Sequence, residues 1–185
     1  MIKSKKRIAD FGEVFTSERE VQEMLNLVDN ETHRIESRFL EPACGNGNFL
    51  IEVLKTKLQV VKSIYHKNQL DFEKYAFLSV ASLYGIDILE DNVHECRIRL
   101  AKYVDETYNS IFRDKTNPRF QKAVTFVLSK NILVGDALTL NTPDNSEALL
   151  FSEWSFSKES KVKRIEYSLS NILAYQPFEG GQPLF

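Results

Sequence analysis

The first strong pattern along the chain begins at Ser17. Ser17 and Glu20 precede Val21, Met24, Leu25 and Val28, which recur at i, i+3, i+4 and i+7. The polar pair spells a capping box, in which each side chain meets a free amide at a helix start. The apolar stripe is that of a helix packed on one face, and it predicts a stop near Asp29-Asn30. Arg38-Phe39-Leu40 is a short run closed by Glu41-Pro42; proline cannot continue a ladder, so the run reads as a brief buried strand. Gly45-Asn46-Gly47 makes a turn, after which Leu50, Val53, Leu54, Leu58 and Val61 give a second helical stripe. Strand, glycine turn and helix in that order open a Rossmann-like unit.

The pattern then repeats. Phe72, Tyr75, Ala76, Val80 and Leu83 predict a helix over Asp71 to Leu83, and Tyr84-Gly85-Ile86-Asp87-Ile88 the next parallel strand. A long helix is expected from about Asp91, with Val93, Cys96, Arg97, Leu100 and Val104 on one face. Between Phe120 and Leu128 the periodicity does not choose helix or strand. Asn131-Ile132-Leu133-Val134 reads as a third strand, closing on Gly135-Asp136-Ala137-Leu138. Beyond Asn141 the spacing changes. Leu149 to Phe156 and Val162 to Leu169 read as a hairpin, and Gln176 to Pro183 as an irregular tail. The expected fold is therefore α/β: a Rossmann-like fold with an incomplete parallel sheet, helices on both faces and a C-terminal β-hairpin. Three segments follow: an arm and helix over 1–30, a core over 31–140, and the hairpin and tail over 141–185.

Composition narrows the chemistry. The 185 residues carry 24 Lys and Arg against 26 Asp and Glu, a net charge of -2, so any polyanion site must be local. Cys44 and Cys96 are too few for a disulfide scaffold or zinc cluster, and His33, His66 and His94 lack metal-ligand spacing. No metal is expected. No apolar run approaches the ~18–20 residues of a membrane span. The basic start, Met1 to Arg7, has no apolar segment behind it and is not a signal peptide. The chain reads as a soluble cytoplasmic protein with no membrane partner. Lys3-Ser4-Lys5-Lys6-Arg7 is read as a solvated tail before a phosphate contact, and Trp154 as hairpin core before a base-stacking platform.

The densest signal is Glu41-Pro42-Ala43-Cys44-Gly45-Asn46-Gly47. Glycines after a strand let a ligand approach the backbone, because no Cβ stands in the way. The dinucleotide fingerprint needs a small residue three positions after the second glycine; Leu50 stands there, which disfavours a pyrophosphate. Glu41 before the turn suits a cationic amine. Asp87 at the end of the second strand suits ribose hydroxyls, and Asp136 after the third suits an exocyclic amine. Amine, ribose and amino-purine together describe S-adenosylmethionine. Cys44 is read as a small packed side chain, since no His or Asp adjoins it.

Taken with Gly12-Glu13-Val14-Phe15-Thr16-Ser17, Gly85-Ile86-Asp87-Ile88 and Gly135-Asp136-Ala137-Leu138, the sequence resembles the N6-adenine DNA methyltransferases of restriction–modification systems. The likeness is to the subgroup with an N-terminal cofactor motif; Ser17 replaces a common proline, and the four motifs cover roughly Ile8 to Leu140. The resemblance implies a cofactor site of Phe15, Thr16, Glu41, Ala43, Cys44, Gly45, Gly47, Asp87, Ile88, Asp136, Ala137 and Leu138. In it Thr16 holds the methionine carboxylate, Glu41 the methionine amine and Asp87 the ribose. Ile88 packs on the adenine, Asp136 accepts its amino group and Leu138 closes the pocket. DNA is implied as the partner of the complete enzyme.

The family's catalytic tetrapeptide, Asp, Asn or Ser followed by two prolines and an aromatic residue, does not occur. Tyr175-Gln176-Pro177-Phe178 comes nearest and lacks the polar residue and the first proline. No catalytic residue is assigned, and the chain alone is expected to be inactive. Three readings stay open. The chain is the cofactor part of an adenine methyltransferase, a stand-alone S-adenosylmethionine-binding subunit or regulator, or a methyltransferase for a small molecule or protein. In the family's sheet a fourth strand flanks the first, so the first strand's outer edge is expected to be taken by the hairpin, by a second copy or by a partner chain.

Overall fold

The computed structural model describes residues 16–113, 115–157 and 161–168. Helix α1, Glu18–Leu27, starts on the expected capping box: the Ser17 amide donates to Glu20 Oε2 at 2.8 Å, and the Glu20 amide donates to Ser17 Oγ. A single further turn, α2 over Asp29–Thr32, has no apolar stripe to announce it. Its Thr32 hydroxyl is buried and donates to the Asp29 carbonyl at 2.8 Å. Strand β1 is Phe39–Glu41 and helix α3 is Asn48–Tyr65. Helix α4, Gln69–Ala81, is capped by Asn68, whose side chain accepts from the Asp71 amide. Leu83, expected on that helix, instead opens β2, Leu83–Asp87. The last bond of the helix is that of the Ser82 amide to the Leu78 carbonyl.

Helix α5 is Glu90–Phe112. The undecided stretch is helix α6, Pro118–Asn131, and local chemistry settles it. The Asn117 side chain accepts from the Arg119 and Phe120 amides, and Pro118 presets the first helical residue. Strand β3 is Ile132–Val134. The three strands are parallel in the order β1-β2-β3, with Glu41 opposite Gly85 and Asp87 opposite Val134. All carboxyl ends therefore open on one side, where an α/β sheet binds its ligands.

Phe39, Leu83 and Ile132 share one face and merge with Leu50, Leu54, Phe72, Leu100 and Leu128 of the four long helices. On the opposite face, Tyr84, Ile86 and Leu133 pack with Leu149 and Phe151. The fold is thus α/β and Rossmann-like. Among the described residues its second covering layer is extended chain, where helices were expected on both faces. Gly135 makes that layer fit, since a Cβ there would meet Leu149 Cδ2 at 2.5 Å.

The hairpin is β4, Leu150–Phe156, paired antiparallel with β5, Val162–Ser168. Trp154 is core, as read: its ring lies edge-on to Phe77 and Phe126. Buried Asn131 ties the layers, donating to the Ala81 carbonyl and accepting from the Ser152 amide. The hairpin is a sheet of its own and does not pair with β1. It is tied to Arg38, the residue before β1, by the Arg38–Glu153 ion pair, 2.7 Å long. Of the offered ways to close that edge, the hairpin is therefore not the one seen.

Buried Lys57 fixes the approach to β1. Its ammonium donates to the Ile35 carbonyl at 2.9 Å, to the Ser37 carbonyl and to Ser82 Oγ at 2.7 Å, over the Phe39 ring. Burial pushes its pKa down to about 7, against the pull of Glu31 and Glu36.

Candidate functional site

The loop between β1 and α3 turns through two left-handed glycines, Gly45 at φ 51° and Gly47 at φ 83°. Gly47 is held for a second reason: a Cβ on it would stand 2.5 Å from Cys96 Sγ. Gly85 beneath has no more room, with Cys44 Sγ 3.0 Å from where its Cβ would be. The two thiols form a packed floor under the loop. A hydrogen bond with the Cys96 thiol, and then burial, push the Cys44 thiol up. Cys44 is a neutral packing group in this setting, not a nucleophile.

Glu41 ends β1 at this loop. Its Oε2 is buried and has no hydrogen-bond partner. Burial, and secondarily the negative charge of Asp87, push its pKa up to about 8, while the Leu50 amide pulls the other way. A carboxyl placed so is short of a cation. Asp87, on the neighbouring strand end, is already engaged. Its Oδ2 accepts from the Gly45 amide at 2.9 Å, and its Oδ1 from the Leu89 amide at 2.9 Å and from Asn92 Nδ2 at 3.3 Å. A carboxylate offers about four lone-pair sites, so about one remains for a ligand.

Asp136 follows β3 and folds its own turn, with Oδ1 accepting from the Leu138 amide at 2.8 Å. Ala137 packs against the second cluster. Ile88 and Leu138 project outward, 43% and 94% exposed. Ala43 is also exposed. Thr16 reaches the loop from the N-terminal side, its carbonyl accepting from Asn48 Nδ2 at 3.1 Å. Phe15, the motif residues before it, the basic start and Tyr175 to Phe178 lie outside the described residues. The structure thus brings Thr16, Glu41, the glycine loop and Asp87 together, with Asp136 at the adjoining strand end.

Two residues of α5 that no motif marks, Glu95 and Arg99, hold the loop. Asn46 Nδ2 donates to Glu95 Oε1 at 3.1 Å, and Arg99 Nη1 donates to the Asn46 carbonyl at 2.6 Å and to Asn48 Oδ1 at 2.9 Å. Glu95 and Arg99 lie four apart on α5, on either side of Cys96, and that spacing was the available signal. Among the described residues, no group of three or more His, Cys, Asp or Glu could hold a metal, and no helix is long and apolar enough to cross a membrane.

Residues 15–151 match the family described as the MmeI DNA-methyltransferase domain. Over 66 residues the chain is 39% identical to a protein of Methanocaldococcus jannaschii named as a candidate type II restriction enzyme and methyltransferase. That match takes in 34% of this chain and 6% of the relative, so the chain spans a small part of the relative's length. No solved structure matches. The family match ends at Phe151, within β4.

Proposed function

The chain belongs to the MmeI DNA-methyltransferase domain family, and on that footing we propose that it holds S-adenosylmethionine for the methylation of DNA on adenine N6. One observation carries the reading: the partnerless buried oxygen of Glu41 at the mouth of a glycine loop. A buried acceptor without a donor costs roughly 1–3 kcal/mol, more when charged. The ammonium of a methionine moiety meets that need with charge and N–H together. The residues therefore fit the cofactor, which would supply an activated methyl group.

What this chain's residues do is bind and orient. Glu41 takes the ammonium, and Gly45 and Gly47 let the ligand lie against the backbone of the loop that includes Ala43 and Cys44. Thr16, with Phe15 beside it in sequence, addresses the methionine carboxylate. The free position on Asp87 fits one ribose hydroxyl. Both hydroxyls fit only if the Gly45 amide lets go. Ile88 and Leu138 offer exposed apolar surface to the adenine, and Asp136 and Ala137 the turn that flanks it.

Transfer to adenine also needs the base extruded and its amine aligned with the donor. The tetrapeptide that does this in the resembling enzymes is not among these 185 residues. We infer that they hold the methyl donor and that the base is clamped by residues outside them. Isothermal calorimetry with S-adenosylhomocysteine, alongside circular dichroism for folding, tests the cofactor reading. Binding by the folded chain is expected, and a folded chain that takes up none refutes it. The isolated chain is expected to transfer no labelled methyl group to duplex DNA; transfer would refute the division of labour.

A further inference from the structure

Arg99 touches none of the residues assigned to the ligand, yet it holds the glycine turn and the start of α3. Its Nη1 is shared between the Asn46 carbonyl in the glycine turn and Asn48 Oδ1 at the start of α3. A guanidinium is donor-only, so it settles which way the Asn48 amide faces. With Oδ1 turned to Arg99, Nδ2 must face the other way, and there it donates to the Thr16 carbonyl at 3.1 Å. A reversed amide would set N–H against N–H on one side and oxygen against oxygen on the other.

We propose that Arg99, acting through Asn48, is a positioning residue that locks the Thr16 segment onto the glycine loop and so builds the methionine-binding end of the site. The surroundings support a fixed rather than an incidental contact. Arg99 and Asn48 are both half-buried, and Glu95, one turn earlier on α5, holds Asn46 at 3.1 Å. Cys96 between them is packed against Gly47 so closely that a Cβ has no room. One turn of α5 therefore grips the loop at three points. The ribose side has anchors outside that loop, since Asp87 is also held by Leu89 and Asn92.

The two ends of the ligand should consequently respond differently. The inference rests on the cofactor reading above, and the test separates them. S-adenosylhomocysteine and adenosine, which lacks the amino-acid moiety, are titrated by calorimetry into the wild type, Arg99→Ala, Arg99→Lys and Asn48→Ala. The alanine variants should bind S-adenosylhomocysteine about tenfold or more weakly, the scale of one lost charge-assisted hydrogen bond, with adenosine affinity unchanged within about twofold. Arg99→Lys, which keeps a charge but not the planar fork, should fall between. Equal losses for both ligands, or no loss for either, overturn the positioning role. A folded wild type that binds neither ligand overturns the cofactor reading, and this inference with it. Should Arg99→Ala fail to fold, Asn48→Ala decides, because it leaves the hydrogen bond to the Asn46 carbonyl in place.

Discussion

If Glu41 is the ammonium ligand, binding must be linked to its proton. Free Glu41 holds a proton up to about pH 8. The ion pair needs the carboxylate, so below that pH each binding event releases a proton and affinity should climb with pH. Two units below its pKa a group is about 1% ionised, so affinity at pH 6 should be about fifty times lower than at pH 8. The ligand's own amine reverses the trend above. An α-amino group has a pKa near ~8, and past that point the amine must regain a proton to pair. The expected profile is a peak close to pH 8 with a slope of about one decade per unit on the acid side.

Calorimetry in two buffers of different ionisation heat reads the proton count directly. About one proton should leave at pH 6.5 and about one should be taken up at pH 9. Glu41→Gln should flatten the profile and weaken binding at pH 8 by about tenfold or more. Affinity that is level from pH 6 to pH 8 in the wild type, with no proton released, would refute the role given to Glu41. The refutation would stand even if the cofactor binds, because a surface-paired amine does not titrate a buried carboxyl.

Three further outcomes concern stability. An unfolded glutamate gives up its proton near 4.5 and Glu41 near 8, so the ligand-free chain should lose stability as pH rises through that window. Differential scanning calorimetry of Glu41→Gln should lack that loss. Lys57 has the opposite sign: unfolded it keeps its proton to about 10.5 and folded only to about 7, so stability should rise with pH between those values. The rise should vanish in Lys57→Met. Gly47→Ala should cost about 2–4 kcal/mol in urea unfolding, from its left-handed φ and the clash with Cys96 Sγ. Cys96→Ala in the same chain should recover the part owed to the thiol.

The strand ends were legible because their chemistry is local. An acid before a glycine turn and an acid closing an apolar run sit where a parallel sheet puts its ligands, and Glu41 and Asp87 lie there. The undecided stretch before β3 was not legible from periodicity alone. Asn117-Pro118 announces the helix as a start signal, and the buried Phe120, Val124, Val127 and Leu128 do fall at helical spacing, but the run Thr125-Phe126-Val127-Leu128 suits a strand as well. The second covering layer was hidden for another reason. Leu149 and Phe151 are apolar in any hairpin, and only the packing of Leu149 on Gly135 shows that they seal the sheet face. Lys57 looks like any helix lysine until the carbonyls of Ile35 and Ser37, twenty residues away and more, are seen around it.

The electrostatics of the two acids explain why one motif position is poised and the other is not. Both lie at neighbouring strand ends beside the same turn, and neither has a salt-bridge partner among the described residues. Asp87 has three N–H donors, from Gly45, Leu89 and Asn92, which stabilise its charge without a cation. Glu41 has burial and the neighbouring charge of Asp87 against it and a single backbone amide for it. The pair therefore divides its labour before any ligand arrives: Asp87 is spent on organising the loop, while burial keeps Glu41 protonated near neutral pH. A cation entering the turn pairs with Glu41 as that carboxyl gives up its proton. An anion, such as a dinucleotide pyrophosphate, is normally welcomed at this place by bare amides, and Gly45's amide is already spent on Asp87. Selection for a ligand with a positive end follows from which acid the backbone chose to solvate.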